Sequence, residues 1–373
     1  MSTVAKVLIV GGGSSGMALA ICLRRIGVEV DLIDRDPDWR AVGAGLSLNG
    51  ASLSAFNRLG VLERMRSEGH FHAGFELYDV DGKLLHRAVP PPDPSGLPMG
   101  GGILRPVLHR ILAEATRSAG ARIRLGVAVA SLRDEGSGVL VGTTDGAERR
   151  YGLVVGADGL HSQIRELVFP EAATPRFTGQ GCWRAVFPRP PELEYVQMYM
   201  DTHHKAGLNP VSRDEMYMFL LEHVPDNRRM PEARWPELLA ERLAPFGGVW
   251  RELRASLGTD SHINYRPLEM LLVPSPWYRG RVVLIGDAAH ATTPHAAYGC
   301  GLAVEDGIVL AEELGRDAPL DAALTRFMQR RFERCRAVVE GSARLGELEM
   351  AHASVGEHQA VTAVLGRAIA QPI

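Results

Sequence analysis

The stretch that most constrains this chain is its start: the apolar run KVLIV (6–10), the cluster Gly11-Gly12-Gly13-Ser14-Ser15-Gly16, the helix-like MALAICLRRIG, and a second apolar run, VEVDLID, ending at Asp34. Strand, glycine turn, helix and strand in direct succession form a βαβ unit. A G-x-G-x-x-G between strand and helix lets the backbone turn tightly and approach a pyrophosphate, which rests on exposed N–H groups at the positive end of the helix. Gly11, Gly13, Ser15 and Gly16 are the residues for that contact, and Asp34, about twenty residues on, is placed to accept a hydrogen bond from a ribose hydroxyl, with Arg35 beside it. The pattern predicts a dinucleotide site without saying which dinucleotide.

At 373 residues the chain exceeds the roughly 250–300 residues at which single cores stop growing, which predicts two domains. Residues 52–68 read as one helix, 75–89 as a hairpin about Asp81-Gly82, and 103–120 as an amphipathic helix with Pro106 near its start. Residues 176–273 change character: short β-like runs with aromatics and prolines surround a single helical insert, RWPELLAERLAPFG. After them RVVLIGD returns to the buried-strand pattern, and GLAVEDGIVLAEELG and residues 320–351 read as helices. The simplest architecture is a nucleotide-binding domain assembled from separated stretches, with a sheet domain inserted between them.

Two further motifs follow the first: Gly156-Ala157-Asp158-Gly159 with Ser162 and Arg165, then Gly286-Asp287 through Pro294 and Gly299-Cys300-Gly301, leading into a helix with Glu305-Asp306. With these three motifs in this order the chain resembles, over nearly its whole length, the class A flavoprotein monooxygenases, the family of p-hydroxybenzoate and salicylate hydroxylases. The resemblance implies an α/β fold: a Rossmann-like FAD-binding domain of glutathione-reductase type with C-terminal helices (1–70, 101–175 and 276–373) and an inserted, mainly β substrate domain (71–100 and 176–275). It implies FAD as cofactor, NADH or NADPH as a transient reductant, O₂ as co-substrate, and hydroxylation of an activated aromatic or N-heteroaromatic small molecule through a flavin C4a-hydroperoxide.

The resemblance also assigns residues. The first glycine cluster with Asp34 takes the ADP half of FAD, and Arg105 lies near its phosphates. Asp158 belongs to the second motif, which serves FAD and the transient nicotinamide. Asp287 binds the ribityl chain, and Pro294 borders the isoalloxazine ring. A helix starting near Gly301 aims its positive end at the N1–C2=O edge of the flavin, with Gly299, Gly301 and Leu302 at that edge. His295, directly after the ring-edge proline, is a candidate to face the substrate, and His290 is read as a structural hydrogen-bonder of the turn. The chain departs from many relatives in having Ala297-Tyr298-Gly299 for Gly-Gln-Gly. A second G-x-G-x-x-G after a strand is absent, so the nicotinamide is expected to visit without a fold of its own.

For the substrate, HHKAGLNPVSRDEMYMF suggests a hairpin with converging side chains. Urate hydroxylases carry a basic residue and a tyrosine in a similar hairpin. Lys205 and Tyr217 are thus the leading substrate candidates, one as a cation for an oxyanion and the other as a phenol to orient the ring, with His203 and Arg184 beside them. A base or proton relay is expected from His203, His204 or Tyr217. A solvated surface turn is the competing reading of HHK.

Net charge of -3 without a lysine-rich block argues against nucleic acid, and no apolar run is long enough to span a membrane. Cys22, Cys182, Cys300 and Cys335 form no CxxC pair, so neither a metal site nor a disulfide framework is expected, and a cytoplasmic monomer or homodimer fits. The start lacks the basic region and cleavage site of a signal peptide. The alternatives are a halogenase, whose W-x-W-x-I-P segment is absent, an alkene reductase or epoxidase, and a non-catalytic FAD-binding protein.

Overall fold

Lys6–Val10 pairs in parallel with Glu29–Asp34 on one side, Ile9 opposite Leu32, and with Leu153–Gly156 on the other, Ile9 opposite Val155. The computed structural model describes all residues except 1–3, 42, 73, 92, 95, 201–203 and 228–229. Arg122–Leu125 and Val282–Leu284 extend this sheet at either side in parallel, and the short Tyr278–Arg279 closes it antiparallel. The three inner strands are almost wholly buried, as expected of a parallel sheet covered on both faces. The helix Ser14–Arg25 packs on it, and Gly299–Leu314 packs on that helix in turn; a Cβ at Gly307 would come within 2.5 Å of the Leu19 backbone nitrogen, so glycine permits the close crossing.

A second, seven-stranded sheet runs Ile263–Met270, Arg176–Pro188, Glu215–His223, His204–Pro210, Val196–Met200, Phe75–Tyr78 and Leu84–Ala88 in spatial order. One face carries the helices Trp235–Leu243 and Val249–Ala255, buried around Trp183, Met218, Leu220 and Trp250. The other face looks toward a small sheet of Gly45–Asn49, Gly100–Leu104 and His70–His72. A 31-residue helix, Leu320–Met350, runs along the molecule and contacts both the Gly299–Leu314 helix and the strand Arg176–Pro188.

Three local expectations change. The single helix expected over 52–68 is two, Gly50–Leu59 and Leu62–Glu68, because Gly60 adopts a left-handed conformation (φ 77°) that ends the first. The helix expected over 103–120 is Arg105–Ser118, since Gly100–Leu104 pairs as a strand before it. The insert carries two helices rather than one, and the second, Val249–Ala255, buries Trp250 and Leu253. Among the described residues no helix is long and apolar enough to cross a membrane.

Candidate functional site

Each glycine of the first cluster has its own steric reason. Gly11 has φ +109° and a Cβ there would collide with the Ala157 carbonyl; a Cβ on Gly16 would collide with the Gly11 carbonyl. At Gly13, the residue before the helix, a Cβ would meet nothing within 4 Å. The first two thus close the turn, and the third faces open space in front of the helix amides, the cradle a pyrophosphate needs. Ser15 is buried under it, beside Gly286. Asp34 accepts from the Gly12 amide at 2.7 Å and the Asp36 amide at 2.8 Å, which fixes its carboxylate at the rim and leaves lone pairs for a ribose. Arg35 is exposed next to it. Trp39 was not foreseen: its indole donates to the Gly12 carbonyl at 2.9 Å, under the Arg117 guanidinium.

Opposite this cradle stands the end of Val282–Leu284. Gly286 (φ 61°) turns the chain, and its amide donates to Asp306 at 2.8 Å. Asp287 opens onto the cleft and is exposed, although dense protein surrounds it. That crowding raises its carboxyl pKa, against the opposing pull of His290 and Arg105. The exposed Arg105 begins its helix, with its side chain against Gly43. Cys300 Sγ lies 3.6 Å from Ser14 Oγ, so the N-termini of the helices Ser14–Arg25 and Gly299–Leu314 meet at one place. Two positive helix ends, an open glycine, Arg105 and Asp287 suit a phosphate-bearing flavin nucleotide with a polyhydroxyl chain.

Beneath that wall lies a buried ionic network. Asp306 accepts from His290 at 2.5 Å and from Arg331 at 2.7 Å; Arg331 also reaches Glu305 at 2.7 Å, and Arg334 joins Glu305 to Tyr298. Burial alone would depress His290, but Asp306 outweighs it and lifts its pKa well above the usual histidine value. Asp306, which burial would raise, is instead held at about 2 by His290 and Arg331. His290, Asp306 and Cys335 converge within 4.8 Å, yet Arg331 donates to both Asp306 and Cys335, taking the place a cation would occupy. His290 is structural, as expected from the sequence.

One expected contact is not offered. Leu302 is fully buried in the core and its amide donates to the Tyr298 carbonyl at 2.9 Å, so neither side chain nor N–H faces the cleft; the helix amides without an intrahelical acceptor belong to the turn before it. Asp158 accepts from Ser162 at 2.5 Å and from the Ile164 amide at 3.1 Å, capping the helix Gln163–Val168. Arg165 is buried and ties Leu160 to Ala288, linking the second motif to the third.

Strand register decides the substrate candidates. In the large sheet Lys205 stands opposite Leu221, Asn209 opposite Tyr217, Arg184 opposite Phe219 and Val186 opposite Tyr217, so all of these share the face toward Gly45–Asn49. Tyr217 confirms that direction: its hydroxyl meets Ser47 Oγ at 2.7 Å, Asn209 donates to the same oxygen at 2.8 Å, and a Cβ at Gly45 would strike the tyrosine ring. His204 pairs with Glu222 and lies 6.4 Å from the Phe246 ring, on the opposite, helix-covered face. It is therefore no substrate-side base; one residue of strand shifts a side chain across the sheet. His203 lies outside the described residues.

Lys205 is not an open cation either. Its ammonium is 2.6 Å from Glu349, whose other oxygen is 3.2 Å from His295 Nε2; His295 Nδ1 is 3.0 Å from Thr293 Oγ1. The His295 side chain is fully buried, and Pro294 is half-buried at the start of the short turn Pro294–Ala296. Arg184 is half-buried and has no ion pair or side-chain hydrogen bond among the described residues, which leaves it a cation with free capacity on this face, together with the exposed Arg266 on the neighbouring edge strand opposite Cys182. His72 lies beside Asn209 with both ring nitrogens buried and unpartnered; burial first, then His70, push it down to about 4, so it is neutral at pH 7. An apolar trough of about 540 Å³ opens at His72, walled by Phe75, Val89, Pro90 and Met99.

A family model described as an FAD binding domain matches residues 4–342. The chain is 35% identical to a 2-heptyl-3-hydroxy-4(1H)-quinolone synthase of Pseudomonas aeruginosa over 352 residues, 92% of this chain and 90% of the relative. It is 33% identical to an aurachin C monooxygenase/isomerase of Stigmatella aurantiaca, over 93% of this chain and 90% of the relative. Among solved structures, Klebsiella pneumoniae HpxO complexed with FAD and uric acid superposes with a TM-score of 0.83 at 22% identity, covering 98% of this chain and 93% of that one.

Proposed function

This chain belongs to the FAD-binding family of class A flavoprotein monooxygenases, and from that premise we propose that it hydroxylates an uncharged N-heteroaromatic ring of the 4(1H)-quinolone type bearing an alkyl substituent. FAD, when bound, supplies the two-electron chemistry by which NAD(P)H and O₂ are consumed. The carrying observation is the meeting of two helix N-termini at Ser14 and Cys300, near Asp287, with Gly301 packed against Ser52 of the helix that directly follows the strand Gly45–Asn49, which Tyr217 contacts. Gly11, Gly13, Ser15, Gly16 and Asp34 would hold the adenosine and phosphates, Arg105 the phosphates, Asp287 the ribityl chain, and Gly299 and Gly301 the ring edge. We read the parallel sheet as the glutathione-reductase-type domain and the seven-stranded sheet as the substrate domain.

The protein's part in the chemistry is placement and charge. The Tyr217 hydroxyl, oriented by Ser47 and Asn209, donates to the ring oxygen of the substrate. Arg184, on the same face, stabilises the negative charge that gathers on that oxygen and so enriches the adjacent carbon in electrons. The packed sheet keeps water from the reacting edge. The trough at His72 is neutral and apolar, which suits an alkyl tail; the heptyl group in the name of the Pseudomonas relative supports that choice. Oxidation of NADH or NADPH by the FAD-loaded protein, recorded with 2-heptyl-4(1H)-quinolone and with hydroxybenzoates, tests the proposal. Acceleration by the quinolone with a product heavier by one oxygen is the expected result; acceleration by hydroxybenzoates alone would sink it.

A further inference from the structure

Lys205 stands where a cation facing the cleft would pair with a substrate carboxylate, and the structure fills that role from within the chain. Glu349, next to the end of the Leu320–Met350 helix, comes in 144 positions away and closes on the ammonium at 2.6 Å. Both side chains are largely shielded, at 20% and 11% exposure, so the pair is not a solvent-loosened surface bridge. The carboxylate's second oxygen lies 3.2 Å from the imidazole of His295. His295 is itself wedged between Thr293 and Gly346, where a Cβ would come 2.9 Å from the imidazole carbon. Around the pair stand Gln180, Met200 and Leu221, none of them charged. Burial would raise the Glu349 carboxyl, but Lys205 and His295 hold it at about 2, so it remains an anion at any working pH.

We propose that Glu349 is a specificity-determining residue: a built-in counter-ion that occupies Lys205 and turns this end of the cleft against carboxylate-bearing rings. A substrate carboxylate brought to Lys205 meets an anion already in place, and like charges at such separations in a shielded site repel strongly. Arg184 remains further along the same face, where it meets a ring oxygen rather than a carboxylate at the Lys205 end. The inference rests on the hydroxylase reading and sharpens it to rings without a carboxylate at this position.

The test uses FAD-loaded protein and flavin fluorescence as the readout of binding, with 2-heptyl-4(1H)-quinolone as the neutral probe and 4-hydroxyquinoline-2-carboxylate as the anionic one. Wild type is expected to prefer the neutral probe. Glu349→Gln, nearly isosteric, should tighten binding of the carboxylate by about tenfold or more while shifting the neutral probe less than about threefold. Adding Lys205→Gln should abolish the gain. Should Glu349→Gln not retain FAD, Glu349→Ser serves in its place. No gain for the carboxylate in either Glu349 variant overturns the inference, whatever the neutral probe does. A gain in a protein that does not bind the neutral quinolone keeps the inference and removes the quinolone reading instead.

Discussion

A Cβ on Gly11 would come within 2.3 Å of the Ala157 carbonyl oxygen, so the first motif is packed onto the second with no room for a side chain between them. Gly13, two residues on, faces open space at φ -79°. The two glycines therefore fail differently. Gly11→Ala adds both a collision and a strained positive φ, and should cost on the order of 2–4 kcal/mol of apo-protein stability as well as FAD. Gly13→Ala should melt within about 1 kcal/mol of wild type yet bind FAD about tenfold more weakly, because its methyl group enters the phosphate space. Thermal melts of the apo forms with flavin titration separate the cases; equal losses of stability would contradict the assignment.

His204 and Lys205 are neighbours in sequence on opposite faces of one strand. His204→Ala should leave kcat/KM within about twofold of wild type, its effect falling on stability. A large kinetic loss at unchanged FAD content would mean that the register around Ala206 is wrong.

This pair also marks where the sequence stops being legible. Glycines and turn acids can be read directly because they answer backbone constraints: Gly11, Gly16 and Gly286 each sit where a Cβ would collide, and Asp287 follows a strand end. The string HHK carries no mark of strand parity, so nothing in it separates His204 from Lys205. Glu349 and Ser47 are brought to the site across 144 and 170 positions by packing, and no local pattern announces either. Leu302 fails for a related reason. Successive residues of a helix step around its axis, so those of the first turn divide between cleft and core, and the phase of this helix is fixed by Ser14–Arg25, against which it packs, not by the motif.

The buried pair His290–Asp306 should shape stability at both ends of the pH range. His290 has a folded-state pKa raised above its unfolded value, so its contribution is complete below about 6.5 and fades as pH climbs through the raised folded value. Asp306 is shifted the other way, from 3.8 to about 2; its contribution is present above the unfolded value and is lost as pH falls through that interval. Asp306→Asn would leave His290 and Arg331 buried against a neutral amide, an expected loss of about 3–5 kcal/mol. Denaturant melts from about pH 2 to pH 9 should show the wild-type dependence flattened in the variant; an unchanged profile would mean that the pair contributes nothing to the pH dependence of stability.

Tyr217 was expected from sequence to serve as base or orienting phenol, and its surroundings decide between the two. Burial raises its pKa despite the hydrogen bond with Ser47 and the nearby Arg184, so the phenol keeps its proton well beyond neutral pH, which supports the donor role proposed for it. Tyr217→Phe deletes that donor and leaves Ser47 bonded to Asn209, so stability should change by no more than about 1 kcal/mol. The loss should appear in kcat/KM, at about a hundredfold, with FAD content intact. A pH–rate limb between about 6 and 9 in the wild-type enzyme belongs to another group and must survive in Tyr217→Phe at the same position. If that limb disappears with the hydroxyl, Tyr217 is the group that titrates and the donor role is wrong; if it stays while turnover collapses, the oxygen of the ring is held by a neutral phenol.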